Sequence, residues 1–288
     1  MTIRNPQWLV ETGELERQLG DPALRILDCT VYLRPLEGGG VRPASGREDW
    51  ARAHIPGSGY ADLLGDLSDR NSPLPVMMPP AKQFAEAMSR YGVGEGTHVV
   101  LYDTASGIWA ARVWWMLRAF GFDAAAVLDG GWKKWTAEGR PVSGEPPRHP
   151  PAHFIARPRP GLIAGKQDVV AALGEKGIAL VNALSPEEFT GQVTRVARSG
   201  RIPGSVNVPS STLLDPQTNA LKPGDQLRAL FRKAGVLDKE RVITYCGGGI
   251  AAAGDAFALA LLGQENVALY DGSLVEWAQD ASLPMETG

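Results

Sequence analysis

The sequence contains one pattern twice, and this repeat limits the possible folds more than any other feature. His54-Ile55-Pro56-Gly57 is matched 147 residues later by Arg201-Ile202-Pro203-Gly204. An Asp-Gly pair ahead of a Trp-containing segment, Asp129-Gly130, recurs 142 residues later as Asp271-Gly272. A unit of about half the chain therefore occurs twice, and we predict two domains of the same fold.

The boundary between the two units is predicted from proline. Seven prolines fall between residues 141 and 165. Proline fixes φ and lacks an N–H donor, so such a stretch is typical of a stiff, extended linker. We predict a first domain over residues 1–145, a linker over 146–165 and a second domain over 166–288.

Each half alternates short apolar runs with segments rich in Ala and Leu, which favours an α/β fold built around a mainly parallel sheet flanked by helices. The predicted strands are 25–28, 58–60, 98–102, 125–128, 178–182, 205–208, 241–245 and 267–270. The predicted helices are 80–91, 108–120, 166–174, 223–234 and 250–262. We predict a surface loop over 35–47, in which Gly38-Gly39-Gly40 is a flexible connection. Asp129 and Asp271 are expected to cap the short helices that carry Trp.

Composition excludes several classes of function. The 288 residues carry a net charge of −3, so nothing indicates binding to nucleic acid or to an anionic membrane. No apolar run approaches membrane-spanning length, and residues 1–10 do not resemble a secretory signal. Two cysteines and no disulfide framework indicate a cytoplasmic protein. The four histidines lack metal-ligand spacing, so no metal is expected.

The stretch from Val242 to Ala253 points to chemistry. A β-branched run ends at Cys246, three glycines follow, and an Ala-rich helix is predicted next. Glycines let successive backbone N–H groups turn inward, and a helix N-terminus favours negative charge. A thiol there should lose its proton more easily than a free cysteine. The alternative is that Cys246 is a small buried apolar residue.

The two halves differ at this point of the repeat. Asp103 stands in the first half where the second has Cys246, and a carboxylate cannot act as a sulfur nucleophile. We therefore predict one working site and one degenerate copy. Cys29 lies at the end of the first predicted strand, and we assign it to packing.

Together the two Ile-Pro-Gly elements, the two Asp-Gly-x-x-x-x-Trp elements and the Cys loop make the chain resemble the rhodanese-type sulfurtransferases in their tandem two-domain form. The resemblance covers nearly the whole chain. It implies a catalytic Cys246, a six-residue loop Cys246 to Ala251, an active site between the domains, and no cofactor. It also implies that sulfur moves through a cysteine persulfide, from thiosulfate or 3-mercaptopyruvate to a thiol or cyanide.

The expected substrate contacts are the backbone amides of the loop, which belong to Gly247, Gly248, Gly249, Ile250 and Ala251. The loop carries no basic side chain, and this slightly favours 3-mercaptopyruvate over thiosulfate as the expected sulfur donor.

Other positions depart from the family pattern. Members of the family place an Arg where this chain has Glu188, so the anion anchor is expected from Arg195, Arg198 or Arg201, of which Arg195 and Arg201 are our candidates. Asp62 is a possible contributor from the first domain. The position of an assisting His in some members corresponds to Val76 here.

Two other functions remain open. A phosphatase of related fold needs an Arg six residues after the Cys, and this chain has Ala252 there. A persulfide carrier or regulatory module that delivers sulfur to a protein partner is the main alternative, and a thioredoxin-like reductant is a possible partner.

Overall fold

The computed structural model describes residues 3–35, 37 and 41–288. Two five-stranded sheets, one in each half, form the centres of the two domains. The first has the strand order β1-β7-β6-β2-β5 and the second the order β10-β9-β11-β12-β8, and every pairing within them is parallel. Once the repeat is taken into account, the two orders are the same. The predicted fold class is confirmed.

The elements begin and end as follows. The strands are β1 Leu9–Val10, β2 Leu24–Asp28, β3 Val31–Pro35, β4 Val41–Ser45, β5 Ser58–Tyr60, β6 His98–Tyr102, β7 Ala125–Leu128, β8 Ile163–Ala164, β9 Ile178–Asn182, β10 Val206–Asn207, β11 Arg241–Tyr245 and β12 Val267–Tyr270. The α-helices are α1 Thr12–Gln18, α2 Arg47–Arg52, α3 Ala81–Arg90, α4 Ile108–Ala119, α5 Gly131–Ala137, α6 Lys166–Ala172, α7 Pro186–Phe189, α8 Gly224–Lys233, α9 Ala251–Leu261 and α10 Ser273–Trp277. Short 3₁₀ turns occupy Pro6–Trp8, Pro160–Leu162 and Ser210–Leu213.

The central strands are near-continuous apolar runs because both faces of a parallel sheet are covered by helices. β6 and β11 are buried from their second residue onward. All eight predicted strands and all five predicted helices are present, with bounds that differ by two residues or fewer. The two-residue strands β1 and β8 were not predicted, since two residues show no periodicity. β8 lies within the predicted linker and pairs with β12.

The prediction of a loop over residues 35–47 is wrong for most of that stretch. β3 and β4 form an antiparallel hairpin, and α2 begins at Arg47. Both strands are largely solvent-exposed, so neither shows the apolar run by which the buried strands were found. The expected flexible connection at 38–40 falls outside the described residues.

The two domains pack together through α4 and α9, which occupy equivalent places in the repeat. Both helices are buried almost all round. Trp114 of α4 meets Phe257 of α9 edge to face, with ring centroids 4.8 Å apart. One apolar cluster runs through this contact from the first domain into the second. Across the part of the chain that the structure describes, no helix combines the length and apolar character required to cross a membrane.

Candidate active site

Cys246 lies at the carboxyl end of β11, the central strand of the second sheet. Residues 247–250 form a turn, and α9 begins at Ala251. This is the end of a parallel sheet at which ligands commonly bind. Only 2% of the residue is exposed, and the thiol is free. The strand, the turn and the helix therefore fix the position of the cysteine.

The loop is tied to the start of α10. The amides of Cys246 and Gly249 both donate to Ser273 Oγ, each at 3.1 Å. The carbonyls of Cys246 and Gly247 accept from Leu274 and Val275, at 3.0 and 2.8 Å. These four hydrogen bonds clamp both ends of the turn, so the loop geometry is set by the start of the next helix.

Several amides of the loop remain available for a ligand. Within the described residues, the N–H groups of Gly247, Gly248, Ile250 and Ala251 donate no hydrogen bond to the protein. Unpaired N–H groups at a helix N-terminus attract negative charge. The loop can therefore bind an anion next to the sulfur with backbone groups alone.

Cys246 opens onto a cavity of about 560 Å³. The cavity is formed by both domains, and its lining is mostly apolar. From the first domain come Leu33, Val41, Pro43, Pro75, Val76, Ile108 and Trp109; from the second come Leu184, Glu188, Val193, Thr194, Arg195, Val196, Gly200, the loop residues Cys246, Gly247, Gly248, Ile250 and Ala251, and Leu274 and Val275. The cavity can hold a small organic donor beside the cysteine.

The three candidate arginines take different roles. Arg195 lines the cavity, and its Nε lies 3.3 Å from the carboxylate of Glu188. Arg198 donates to four backbone carbonyls at and beyond the carboxyl end of α10, between 2.6 and 3.1 Å away. Arg201 pairs with Glu286 at 2.6 Å, and its guanidinium lies over the Phe189 ring. Only Arg195 of the three is among the residues that line the cavity.

The structure does not bring Asp62 to the cavity. Its carboxylate accepts from the amides of Leu64 and Gly65 and lies 3.4 Å from Arg47. Val76, by contrast, lines the cavity at the place suggested by the sequence. Its φ of 52° is uncommon for a β-branched residue. The first domain therefore contributes a held backbone segment here and no titratable side chain from either position.

The equivalent loop of the first domain binds a carboxyl group of the chain itself. Its Asp103 carboxylate accepts backbone hydrogen bonds from Ala105, Gly107, Trp109 and Ala110, at 2.9 to 3.1 Å. Burial raises the pKa of Asp103, and these four hydrogen bonds oppose that rise. The left-handed residue is Gly107 here and Gly249 in the second domain, so the two loops differ in detail.

Asp129 and Asp271 do not cap helices, and that prediction is wrong. Helices α5 and α10 have glycine N-caps without a side-chain hydrogen bond. Each aspartate instead reaches into the other domain. Asp129 accepts from the amide of Leu221 at 2.7 Å, and Asp271 accepts from the amide of Met78 at 2.8 Å.

Sequence reasoning also missed Ser273 and Arg112. Ser273 stands where the first repeat has Gly131, and both have positive φ. Arg112 is fully buried and pairs with Asp271 across the domain boundary. A charged residue inside the almost wholly apolar segment 108–117 was a visible sign of such a role.

The fold and the cysteine loop together define the class. The rhodanese-like domain family matches residues 11–138 and again residues 166–280, and the chain belongs to that family. The predicted tandem form is confirmed.

Similarity to individual named proteins shows which kind of rhodanese-like protein this chain is. The chain is 36% identical to human 3-mercaptopyruvate sulfurtransferase over 276 residues, 94% of this chain and 90% of that one. It is 34% identical to bovine thiosulfate sulfurtransferase over 287 residues, 98% and 92% of the two chains. The crystal structure of SseA from Escherichia coli, a 3-mercaptopyruvate sulfotransferase, superposes with a TM-score of 0.82 at 33% identity and covers 92% of this chain and 98% of that one. These relatives confirm that the chain is a sulfurtransferase.

Proposed function

We propose that this enzyme transfers the sulfur atom of 3-mercaptopyruvate to a thiol or to cyanide through a persulfide on Cys246. The observation that carries the proposal is the position of the thiol, which faces a cavity beside four unpaired backbone amides. Asp103, held by four amides at the equivalent point of the first domain, supports the view that such a loop binds negative charge.

The reaction needs no oxidant or reductant. The Cys246 thiolate attacks the sulfur of 3-mercaptopyruvate, an S–S bond forms and the C–S bond breaks. The electron pair of that bond goes to carbon, which takes a proton and leaves as pyruvate. An acceptor thiolate or cyanide then attacks the outer sulfur, and the Cys246 thiolate leaves. The loop amides stabilise the negative sulfur at both stages.

The charges in the cavity wall favour a singly charged donor. Arg195 and Glu188 are the charged residues among the described lining of the cavity, and they lie 3.3 Å apart. The glutamate offsets much of the positive potential of the arginine. A monoanionic carboxylate with an apolar body therefore fits this wall better than the dianion thiosulfate.

Steady-state kinetics with both donors test this preference. We expect a higher kcat/KM for 3-mercaptopyruvate than for thiosulfate. Glu188→Gln frees Arg195 from its partner, so it should raise kcat/KM for thiosulfate relative to the wild type. Arg195→Met should raise KM for 3-mercaptopyruvate. Equal or better turnover of thiosulfate by the wild-type enzyme would show that the preference is wrong.

A second candidate function is delivery of sulfur to a protein partner. Leu33 is 51% exposed and Val193 is 42% exposed, and both line the cavity, one from each domain. Exposed apolar side chains at a cavity are typical of surfaces that dock partners. If this function holds, a protein dithiol of the thioredoxin type should take the sulfur faster than a small thiol at equal concentration, and Leu33→Ser should slow that step alone.

We propose the cytoplasm as the compartment, since both cysteines are free.

A further inference from the structure

A buried ion pair joins the two domains beneath the cysteine loop. Arg112 of α4 has no exposed side-chain surface, and its Nη2 binds a carboxylate oxygen of Asp271. The same Nη2 donates to the carbonyl of Val76 at 3.0 Å. We call this contact the Arg112–Asp271 pair.

The pair also fixes the segment of the first domain that lines the cavity. The second oxygen of Asp271 accepts from the amide of Met78 at 2.8 Å. Residues 76 to 78 are therefore held at both ends by the pair, one through a carbonyl and one through an amide. Val76, whose carbonyl accepts this hydrogen bond, is the residue of the segment that has positive φ.

The pair abuts the cysteine loop at Gly249. A Cβ atom on Gly249 would lie 2.9 Å from the Asp271 carbonyl, 3.2 Å from Arg112 Nη1 and 3.3 Å from Asp271 Oδ1. Since cation and anion lie equally near, the pair presents little net charge to the loop. Its effect on the loop is therefore one of position: it forms the surface on which the glycine backbone rests.

The degenerate half offers a comparison within the same chain. Asp129 and Leu221 repeat the contact of Asp271 with Met78. The position equivalent to Arg112 is Asp255, which is fully buried, and within the described residues neither of its carboxylate oxygens has a hydrogen-bond partner. The arginine is therefore present only where the facing loop carries a cysteine.

The arginine is not arranged for stability alone. Its Nε and Nη1 are buried and, among the described residues, have no hydrogen-bond partner. Unpaired buried donors are costly, and an apolar side chain of similar size often replaces a buried ion pair without loss of stability. Retention of the charge at this cost points to a role in the reaction.

We propose that Arg112 is a positioning residue, which acts through Asp271 and Gly249 to hold the Cys246 loop in its reactive geometry. The inference rests on the proposed function, because it assumes that the sulfur of Cys246 is the reacting atom. The first domain thus contributes to catalysis through this arginine although its own loop has lost the nucleophile.

The test compares four variants with the wild type in 3-mercaptopyruvate turnover. They are Arg112→Met, Arg112→Lys, the double variant Arg112→Met with Asp271→Asn, and Asp129→Asn as the matched control from the other half. A misplaced reacting group can cost about 100-fold in rate. We expect Arg112→Met and the double variant to lower kcat at least about tenfold, with little change in KM. Arg112→Lys should recover part of the loss, and Asp129→Asn should keep the wild-type kcat.

The double variant leaves no unpaired charge, so it keeps the test valid if Arg112→Met folds poorly. Urea unfolding of each variant verifies the fold. A wild-type kcat in the double variant, or an equal loss in Asp129→Asn, would overturn the proposal. Sulfur loading of the wild-type enzyme, followed by mass spectrometry, distinguishes failure of the proposed function from failure of the role proposed for Arg112. If the wild type takes no sulfur on Cys246, the proposed function fails; if all variants load at the wild-type rate, only the role of Arg112 fails.

Discussion

The two cysteines of the chain differ through their surroundings alone. Cys29 is completely buried beside β2, and burial, with the nearby carboxylates of Asp28 and Asp103, raises the pKa of its thiol well above the ordinary value. Cys246 is almost as buried, but it lines a cavity and is followed by unpaired amides. The assignment of Cys29 to packing agrees with its place in the core.

A thiol-specific reagent should therefore modify Cys246 in the native enzyme and leave Cys29 unmodified until unfolding.

Gly249 is the glycine on which the loop depends most. Its φ is 77°, and an added Cβ would lie 2.9 Å from the carbonyl of Asp271. Left-handed backbone costs about 1–2 kcal/mol for a residue with a Cβ, before any clash is counted. We expect Gly249→Ala to lower the free energy of unfolding by at least that amount in a urea titration.

Gly247 provides the matched control for this substitution. It does not have positive φ, and nothing lies within 4 Å of its would-be Cβ. Gly247→Ala should therefore cost much less stability than Gly249→Ala. Equal losses from the two substitutions would contradict the role given to the backbone at Gly249.

The buried carboxyl of Asp28 should make the stability of the folded protein fall as the pH rises. Burial raises its pKa to about 6, so the folded protein binds this proton more tightly than the unfolded chain, whose Asp pKa is about 3.9. Ionisation of Asp28 thus lowers stability as pH rises from 4 to 6, by on the order of 3 kcal/mol at most. Asp28→Asn removes this loss, so its stability relative to the wild type should increase from pH 4 to pH 7.

Asp215 serves as the control of opposite sign. Hydrogen bonds from Thr218 lower the pKa of its carboxyl, so its ionised form favours the folded state above pH 4. Asp215→Asn should therefore be less stable than the wild type by a nearly constant amount from pH 4 to pH 7, and this difference should shrink only below pH 4. Thermal unfolding at both pH values checks the pair, and parallel pH profiles for the two variants would contradict the assignment.

At the scale of elements, the helix pair α4 and α9 holds the two domains in contact. Trp114 and Phe257 lie at the centre of this contact, and the side chain of Phe257 is 2% exposed. The amino-terminal segment crosses the same boundary, since the amide of Arg4 donates to the carbonyl of Leu261 at 2.9 Å. The cavity next to Cys246 exists only because these contacts keep the domains together.

Phe257→Ala should therefore destabilise the enzyme by about 3–5 kcal/mol, because it leaves a cavity in a packed interface. Ile155→Ala is the control, since Ile155 is 52% exposed and should cost less than about 0.5 kcal/mol. Urea titration of both variants measures the difference. A small loss in Phe257→Ala would mean that the α4–α9 contact does not stabilise the molecule.

The elements found from the sequence are those whose burial leaves a run or a concentration of apolar residues. β6 and β11 are apolar runs, and α4 and α9 are rich in apolar residues, so their bounds could be predicted closely. The hairpin β3–β4 was missed because its exposed strands carry no such pattern.

The site was predictable only where its residues are contiguous in the sequence. The Cys loop is a contiguous motif, and the sequence located it. Ser273 and the hairpin residues reach the site from distant parts of the chain, and no local pattern reveals such contacts. Arg112 is also distant, and its only sign in the sequence is a charge inside an apolar segment. Arg201 looked equivalent to Arg195 in sequence, but its guanidinium is taken up by Glu286 near the carboxyl terminus.

At the scale of the whole molecule, duplication has produced two sheets of the same strand order with different chemistry at their carboxyl ends. One loop holds its own carboxylate, Asp103, and the other leaves its amides free beside Cys246. The cavity beside Cys246 is lined by both halves, so neither domain forms it alone. The first domain supplies part of the wall of the cavity that Cys246 lines.

The most direct test of this account is mass spectrometry of the enzyme after brief exposure to 3-mercaptopyruvate without an acceptor. We expect a gain of one sulfur atom, located on the peptide that contains Cys246, and release of that sulfur when cyanide is added. Cys29→Ser should gain the sulfur as the wild type does, and Cys246→Ser should gain none. Sulfur found on Cys29, or equal loading of Cys246→Ser, would contradict the account.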